Sequence, residues 1–258
     1  YCILYARLSF ISMPAFMLQN VFQSFFVTAE KPHLGLYVVI AAGVTNMVLD
    51  FLFVGILGFG LAGAALATVC GEFIGGLFPI FYFTRKNSSL LRLGKTHWNG
   101  HVLLQTCING SSELMTNLSS SIMNSLYNIQ LMKFAGENGV AAYGTMMYIN
   151  FIFLAIFFGY SIGSAPVISY HYGAGNQDEL KNLFRKSLRL IGTWGIMLAL
   201  LSQLLAAPLS KLFVGYDAEL FAMTEHGFRI YCLAYLINGF NIFGSSFFTA
   251  LNNGVISA

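Results

Sequence analysis

The 258-residue chain is 57% hydrophobic and only 9% charged, with 25 Phe and 13 Tyr. A soluble domain carries charge on about a quarter of its residues, so this composition excludes a water-soluble globule and requires a surface that faces lipid. The net charge of +3 points to no nucleic-acid partner, because the basic residues sit in short loops between apolar stretches. Cys2, Cys70, Cys107 and Cys232 form no C-x-x-C pair, so neither a disulfide framework nor a zinc site is indicated. No cofactor or metal site is expected.

A helix crossing the hydrocarbon core needs about 20 predominantly apolar residues. Seven stretches meet this requirement: 7–28, 34–57, 61–84, 102–133, 140–170, 187–209 and 227–251. The fold class is therefore all-α, a polytopic transmembrane helical bundle. Between the spans lie short turns with helix-ending chemistry, such as Glu30-Lys31-Pro32 and Gly58-Phe59-Gly60. The fourth and fifth spans exceed the minimum, so they must tilt, bend or protrude. Gly159, Gly163 and Pro166 offer bending points in the fifth, since Pro removes a backbone donor and clashes one turn back. The stretch from Asp178 to Arg189 is charged on one side, with Leu180, Leu183 and Phe184 on the other. It is expected to lie along the membrane surface. The chain opens directly on span-like sequence and closes at Ala258 without a polar tail, so it is expected to be a fragment cut at both ends.

Orientation follows from Lys and Arg in the loops. The loops after the first, third and fifth spans hold nine of them: Lys31, Arg85, Lys86, Arg92, Lys95, Lys181, Arg185, Lys186 and Arg189. The opposite side holds four, Arg7, Lys133, Lys211 and Arg229, among the acids Glu137, Asp217, Glu219 and Glu225. The first set is expected in the cytoplasm. A weak internal repeat aligns Arg7 with Arg229, Gln19 with Asn241, and Ser24-Phe25-Phe26 with Ser246-Phe247-Phe248. Six spans separate the two copies, which implies two parallel six-helix halves, a common transporter plan.

Three acids, Asp50, Glu72 and Glu113, lie inside the spans, while Lys and Arg stay at span ends or in loops. A charged Asp at a helix centre costs about 2.5–3.5 kcal/mol on insertion scales. Such a group takes up a proton or holds a cation, unless it serves only to pack against a neighbouring helix. Asn46 sits one turn before Asp50 on the same helical face, and Thr68 and Glu72 share a face of the third span. A tight turn joins the second and third spans, so Asp50 and Thr68 are expected at similar depth. Carboxylate, amide carbonyl and hydroxyl form a hard-oxygen set suited to sodium or a proton. The fourth span carries a polar stripe of Asn109, Glu113, Asn117, Ser121 and Asn124, with Ser120 and Asn128 nearby. A lipid-facing helix does not carry such a row, so this face is expected to line a cavity or a tight helix contact. The glycines from Gly71 to Gly76 read as close helix packing, and the aromatic residues as lipid-facing bulk.

These residues resemble the multidrug and toxic-compound extrusion (MATE) family. The resemblance is carried by Tyr5-Ala6-Arg7, by Asn46-Met47-Val48-Leu49-Asp50, by the run from Gly60 to Thr68, and by Tyr172-Gly173-Ala174-Gly175-Asn176. They appear in family order across almost the whole chain, and the Asn-x-x-x-Asp pair is similar to that of the bacterial and archaeal branches. The resemblance implies helices four to ten of a twelve-helix, two-lobe transporter. Residues 1–84 would close the N-lobe with three helices, 85–101 would form the cytoplasmic loop between lobes, and 102–258 would begin the C-lobe with four helices. It implies an N-lobe cation-coupling site of Asp50, Asn46 and Thr68, completed by an Asp on the family's first helix. Other members use a Glu that Glu113 matches. Their tenth-helix Asp has no equivalent here, Asn238 and Asn241 being the nearest polar residues, and Glu72 is an acid where a neutral residue is usual.

The implied activity is antiport of cationic or amphipathic drugs against protons or sodium across the cell membrane, by a protein that is monomeric at full length and is not an enzyme. A lipid-linked oligosaccharide flippase of the same superfamily is the alternative. Such proteins need basic residues in the cavity to hold pyrophosphate, and the spans here hold none away from their ends. Membrane enzymes want clustered His, Cys or Asp, whereas His33, His97, His101, His171 and His226 are dispersed.

Overall fold

The computed structural model describes residues 2–86, 89, 91–94 and 97–257. Lys95 and Ala258 lie outside them. Among the described residues the regular elements are all helical. They are α1 (Cys2–Thr28), α2 (Pro32–Asp50) continued by a π-helical segment (Phe51–Ile56), α3 (Gly60–Thr84), α4 (Gly100–Gly173), α5 (Gln177–Val214), α6 (Ala218–Tyr231), a 3₁₀ turn (Cys232–Ala234), α7 (Tyr235–Ala250) and the short α8 (Gly254–Ser257). They form two compact units, Tyr1–Trp98 and Asn99–Ala258.

In the first unit α3 packs against both α1 and α2. Small residues permit the approach. A Cβ on Gly76 would run into the Ala15 backbone, one on Gly75 into Gln19, and one on Gly71 would lie 2.9 Å from the Ala42 carbonyl. Phe22 and Phe26 from α1 meet Phe83 from α3, with ring centroids 5.5 and 5.2 Å apart. The opposite faces stay open and apolar, with Phe10, Met47 and Phe51 each about 70% exposed. A monomeric soluble protein rarely leaves so much contiguous apolar surface uncovered.

In the second unit six hydrophobic side chains from four helices, Ile149, Phe157, Ile191, Leu198, Phe228 and Phe243, are almost wholly buried together. They come from α4, α5 and the α6–α7 pair. Helix α4 spans 74 residues, about 110 Å if straight, against a hydrocarbon core of about 30 Å. It is broken at Gly136, whose φ of 61° and ψ of −154° are not helical. The chain folds back there, because Tyr127 stacks on Tyr143 at 5.6 Å and the Tyr143 hydroxyl donates to Asn124 Oδ1 at 2.6 Å. The hairpin accounts for the fourth and fifth expected spans. Six helical stretches among the described residues are long and apolar enough to cross a membrane, this hairpin counted as one.

Helix ends are set by side chains. Asn99 Oδ1 accepts from the backbone N–H of His101 and Val102 and opens α4. Asp217 accepts from Glu219 and Leu220 and opens α6. The Tyr172–Asn176 motif is the turn between α4 and α5. Gly175 adopts a positive φ of 70°, the Asn176 N–H donates to the His171 carbonyl, and Asn176 Oδ1 caps α5 through the Glu179 N–H at 3.2 Å. Glycine supplies the left-handed conformation and Asn satisfies an orphan helix donor.

One expectation changes. The stretch from Asp178 to Arg189 is no separate surface helix but the first third of the continuous α5. Its apolar side packs on protein: Leu180 is buried, and Phe184 meets Phe247 at 4.9 Å and Phe243 at 6.4 Å. An apolar helical stripe fits a neighbouring helix as well as it fits a lipid surface, and here α7 takes it.

Candidate functional site

The three residues expected to couple ions sit on two touching helices of the first unit. Asn46 Nδ2 donates to Thr68 Oγ1 at 3.4 Å, and Thr68 Oγ1 donates back to the Ala64 carbonyl at 3.0 Å. The Gly71 position lets α2 and α3 close on each other here, since its missing Cβ would be 3.2 Å from the Asn46 Cβ. Asp50 lies one turn beyond Asn46 as the last residue of α2. All three are half-buried. Asp50 Oδ1 is shielded from solvent and has no hydrogen-bond partner among the described residues.

That orphan oxygen is the most informative atom of the site. A buried acceptor without a donor costs about 1–3 kcal/mol, more if charged, which a water, a polar ligand or a cation would remove. The backbone changes at the same point. The six residues after Asp50 are π-helical, and the Leu57 N–H reaches back to the Leu52 carbonyl at 2.9 Å. Segments of this kind are frequently found at functional positions. Nothing in the sequence between Phe51 and Ile56 announced it.

Glu72 is half-buried one turn along α3 from Thr68. It makes no hydrogen bond or ion pair among the described residues.

In the second unit the polar stripe on the first arm of α4 is engaged only towards its ends. Asn109 Nδ2 donates to the Thr249 carbonyl at 3.1 Å, and Ser112 Oγ donates to Ser257 at 2.7 Å. Asn124 receives Tyr143. Between them Glu113, Asn117, Ser120 and Ser121 are exposed, so the stripe forms no tight helix contact over its centre. Its donors turn inward. Asn117 Nδ2 donates to the Glu113 carbonyl at 2.7 Å, Ser121 Oγ to Asn117 at 2.9 Å and Asn128 Nδ2 to Asn124 at 2.9 Å. This back-bonding leaves amide oxygens and the Glu113 carboxylate facing outward. Asn238 is half-buried and Asn241 exposed on α7.

Aromatic residues read as lipid-facing bulk are partly otherwise. Tyr235 is fully buried, stacked on Phe153 at 5.4 Å, and Asn150, 4% exposed, donates to the Tyr231 hydroxyl at 3.3 Å. A lone amide inside an apolar span was the signal available for this cluster.

The MatE family profile matches residues 114–258. The chain belongs to the MatE family. Among curated proteins, the multidrug export protein MepA of Staphylococcus haemolyticus (strain JCSC1435) is 26% identical over 182 residues, 70% of this chain and 40% of that protein. MepA of Staphylococcus saprophyticus is 20% identical over 254 residues, 97% of this chain and 55% of the relative. The chain thus spans about half the length of the curated relatives it matches. A solved structure described as the outward-facing conformation of a multidrug resistance MATE family transporter superposes with a TM-score of 0.90 at 21% identity, covering 99% of this chain and 57% of the other. MatE proteins are transporters and not enzymes, and this chain is a multi-pass membrane protein.

Proposed function

We propose that the protein exports cationic or amphipathic small molecules by antiport against protons or sodium ions, with Asp50, Asn46 and Thr68 as the coupling site. The observation that carries this reading is the shielded, unpartnered Asp50 oxygen beside the Asn46–Thr68 bond. Its oxygen donors suit a hard ion. The MepA relatives, named as multidrug export proteins, support the direction and the substrate class.

In this reading the loops after the first, third and fifth spans face the cytoplasm. An ion arriving from outside neutralises Asp50, which removes the cost of an unpaired charge in a semi-dry site. The packing of α2 against α3 then changes and weakens drug binding. Only interactions that differ between the two states drive such a switch, and the charge on Asp50 is such an interaction. Glu72 and Glu113 are further acids that can carry ions, and the exposed Asn117 and Ser120, between Asn109 and Asn124 on the same stripe, suit a cavity wall for cations.

The test is efflux by the intact protein in proteoliposomes under an imposed pH or sodium gradient. Asp50→Asn is expected to abolish gradient-driven efflux while the protein still inserts. Undiminished efflux by that variant would refute Asp50 as the coupling residue.

A further inference from the structure

Helices α4 and α5 leave between them a cleft that no side chain of the second unit fills. Its volume is about 170 Å³, lined by Ile156, Phe157 and Tyr160 from the second arm of α4 and by Leu190, Ile191 and Trp194 from α5. Phe157 and Ile191 form the floor and are buried, while Ile156, Leu190 and Trp194 are 39%, 39% and 37% exposed along the lips. Tyr160 brings no unsatisfied polar group, because its hydroxyl shares a 2.8 Å hydrogen bond with Ser187 Oγ. The cleft therefore suits a hydrocarbon occupant and offers a polar one nothing to bind.

One end of the cleft is basic. Lys186, Leu190 and Trp194 recur every four residues and share a face of α5, so Lys186 stands one turn from Leu190 and about 12 Å along the axis from Trp194. Arg189 borders Leu190 in the chain. Lys186 and Arg189 are exposed, and neither forms an ion pair among the described residues. The nearest acid on that face, Glu179, lies two turns further towards the start of α5 and accepts from Asn182 at 3.1 Å. On the facing wall Gly163 continues the Ile156–Tyr160 row by one turn, and the Tyr160–Ser187 bond sets it towards the same basic end. A Cβ on Gly163 would meet nothing within 4 Å, so the way from the cleft to the two cations is open.

The two halves together select the occupant. Ammonium and guanidinium groups bind phosphate, and basic pockets between transmembrane helices hold anionic lipid headgroups. Trp194 is of the kind favoured where acyl chains meet headgroups. A free phosphate ion would leave the apolar cleft uncovered, and an apolar helix laid over it would leave the cations without a counter-charge. A zwitterionic headgroup brings a cation of its own towards Lys186 and Arg189, whereas an anionic one does not.

We propose that this cleft holds one phospholipid with an anionic headgroup, an acyl chain lying over Phe157 and Ile191 and the headgroup phosphate resting on Lys186 and Arg189. The site uses neither Asp50 nor the polar stripe of α4, and it does not rest on the efflux reading.

The experiment reconstitutes the purified intact protein in bilayers of phosphatidylcholine with a minor fraction of phosphatidylglycerol. Brominated acyl chains, which quench a tryptophan they touch, are carried either by the phosphatidylglycerol or by an equal amount of the phosphatidylcholine. The Trp194 signal is the difference between the parent and Trp194→Phe. Brominated phosphatidylglycerol is expected to quench Trp194 more strongly, and titrating its fraction gives the relative affinity. Lys186→Gln and Arg189→Gln are each expected to lower that preference by up to about fivefold, the scale of one basic residue at an anionic surface, and Lys186→Arg to keep it. Asp50→Asn is expected to keep it as well, so this site and the coupling site fail separately. Both cations are exposed, so their replacement leaves the core intact, and the elution profile of each variant checks its fold. Equal quenching by the two lipids would overturn the proposal as ordinary lipid contact, and quenching by neither would mean that protein covers the cleft. It is overturned too if the double variant Lys186→Gln, Arg189→Gln keeps the preference, or if inorganic phosphate displaces the lipid more than chloride does at equal ionic strength, which would assign the cations to a free anion.

Discussion

Asn46 on α2 reaches Thr68 on α3 through a 3.4 Å hydrogen bond, and the residue one turn further along α2 is Asp50, whose Oδ1 has no donor among the described residues. The bond fixes the two helices at one depth and leaves the carboxylate as the unsatisfied member of the group. In the proposed coupling site Thr68 would have two tasks, holding the Asn46 amide in place and offering its hydroxyl oxygen to the ion.

Replacing Thr68 by Val separates those tasks. Val is nearly isosteric but has no hydroxyl, so the interhelical bond is lost at a cost of about 0.6 kcal/mol, the average for such bonds in a membrane bundle. Thermal unfolding in detergent should shift only slightly. The added thermal protection given by sodium or by acid pH should fall much further, and Thr68→Ser should restore it. An unchanged ion response in Thr68→Val would exclude the hydroxyl from the site.

Gly76 and Gly75 make a graded pair. A Cβ at Gly76 would strike the Ala15 backbone, which cannot move without displacing α1, whereas at Gly75 it would strike the Gln19 side chain, which can rotate away. Gly76→Ala is expected to cost about 1–3 kcal/mol as overpacking, and Gly75→Ala distinctly less. Denaturation of the two variants in the same detergent compares them directly.

How much of this was legible beforehand depends on the distance along the chain over which a feature is specified. The spans follow from local hydropathy, and the tight turn at Gly58-Phe59-Gly60 led Asp50 and Thr68 to be expected at similar depth, whereas the bond to Thr68 comes from Asn46, one turn further from that turn. The union of 178–189 with α5 was not legible, because a stripe of Leu180, Leu183 and Phe184 has the same period whether it meets lipid or Phe243 and Phe247. The tyrosine cluster was not legible either. Its bond between Asn150 and Tyr231 joins residues 81 positions apart, and a tyrosine in an apolar span looks the same facing lipid or facing another helix. The π-helical segment after Asp50 reflects hydrogen-bond register, which no residue pattern in Phe51–Ile56 encodes.

Gly136 carries the hairpin that brings Asn124 to Tyr143. Its φ of 61° with ψ of −154° belongs to a region populated almost only by glycine, and forcing another residue there costs about 1–3 kcal/mol. Space is not the obstacle, since a Cβ there would meet nothing within 4 Å. Gly144 on the same hairpin is equally unobstructed but helical. Gly136→Ala is therefore expected to destabilise the second unit by that amount. Gly144→Ala is expected to leave stability unchanged or raise it by up to about 1 kcal/mol. Parallel melts that gave equal losses would contradict the backbone argument.

The polar stripe on the first arm of α4 makes a prediction about water. Asn117 and Ser121 send their donors back into the helix and sit beside Glu113 on an exposed face, while Ile122 and Met115 are also exposed but apolar. If the polar face lines an aqueous cavity, cysteines placed at 117 and 121 are wetted, and one at 122 lies against acyl chains, which exclude a charged reagent. In a background with Cys2, Cys70, Cys107 and Cys232 changed to Ser, Asn117→Cys and Ser121→Cys should react with a membrane-impermeant charged thiol reagent at least tenfold faster than Ile122→Cys. That ratio reflects only the thiolate exposed to water. Equal rates at all three positions would mean that the stripe faces lipid, leaving its amides and the Glu113 carboxylate without a reason to be there.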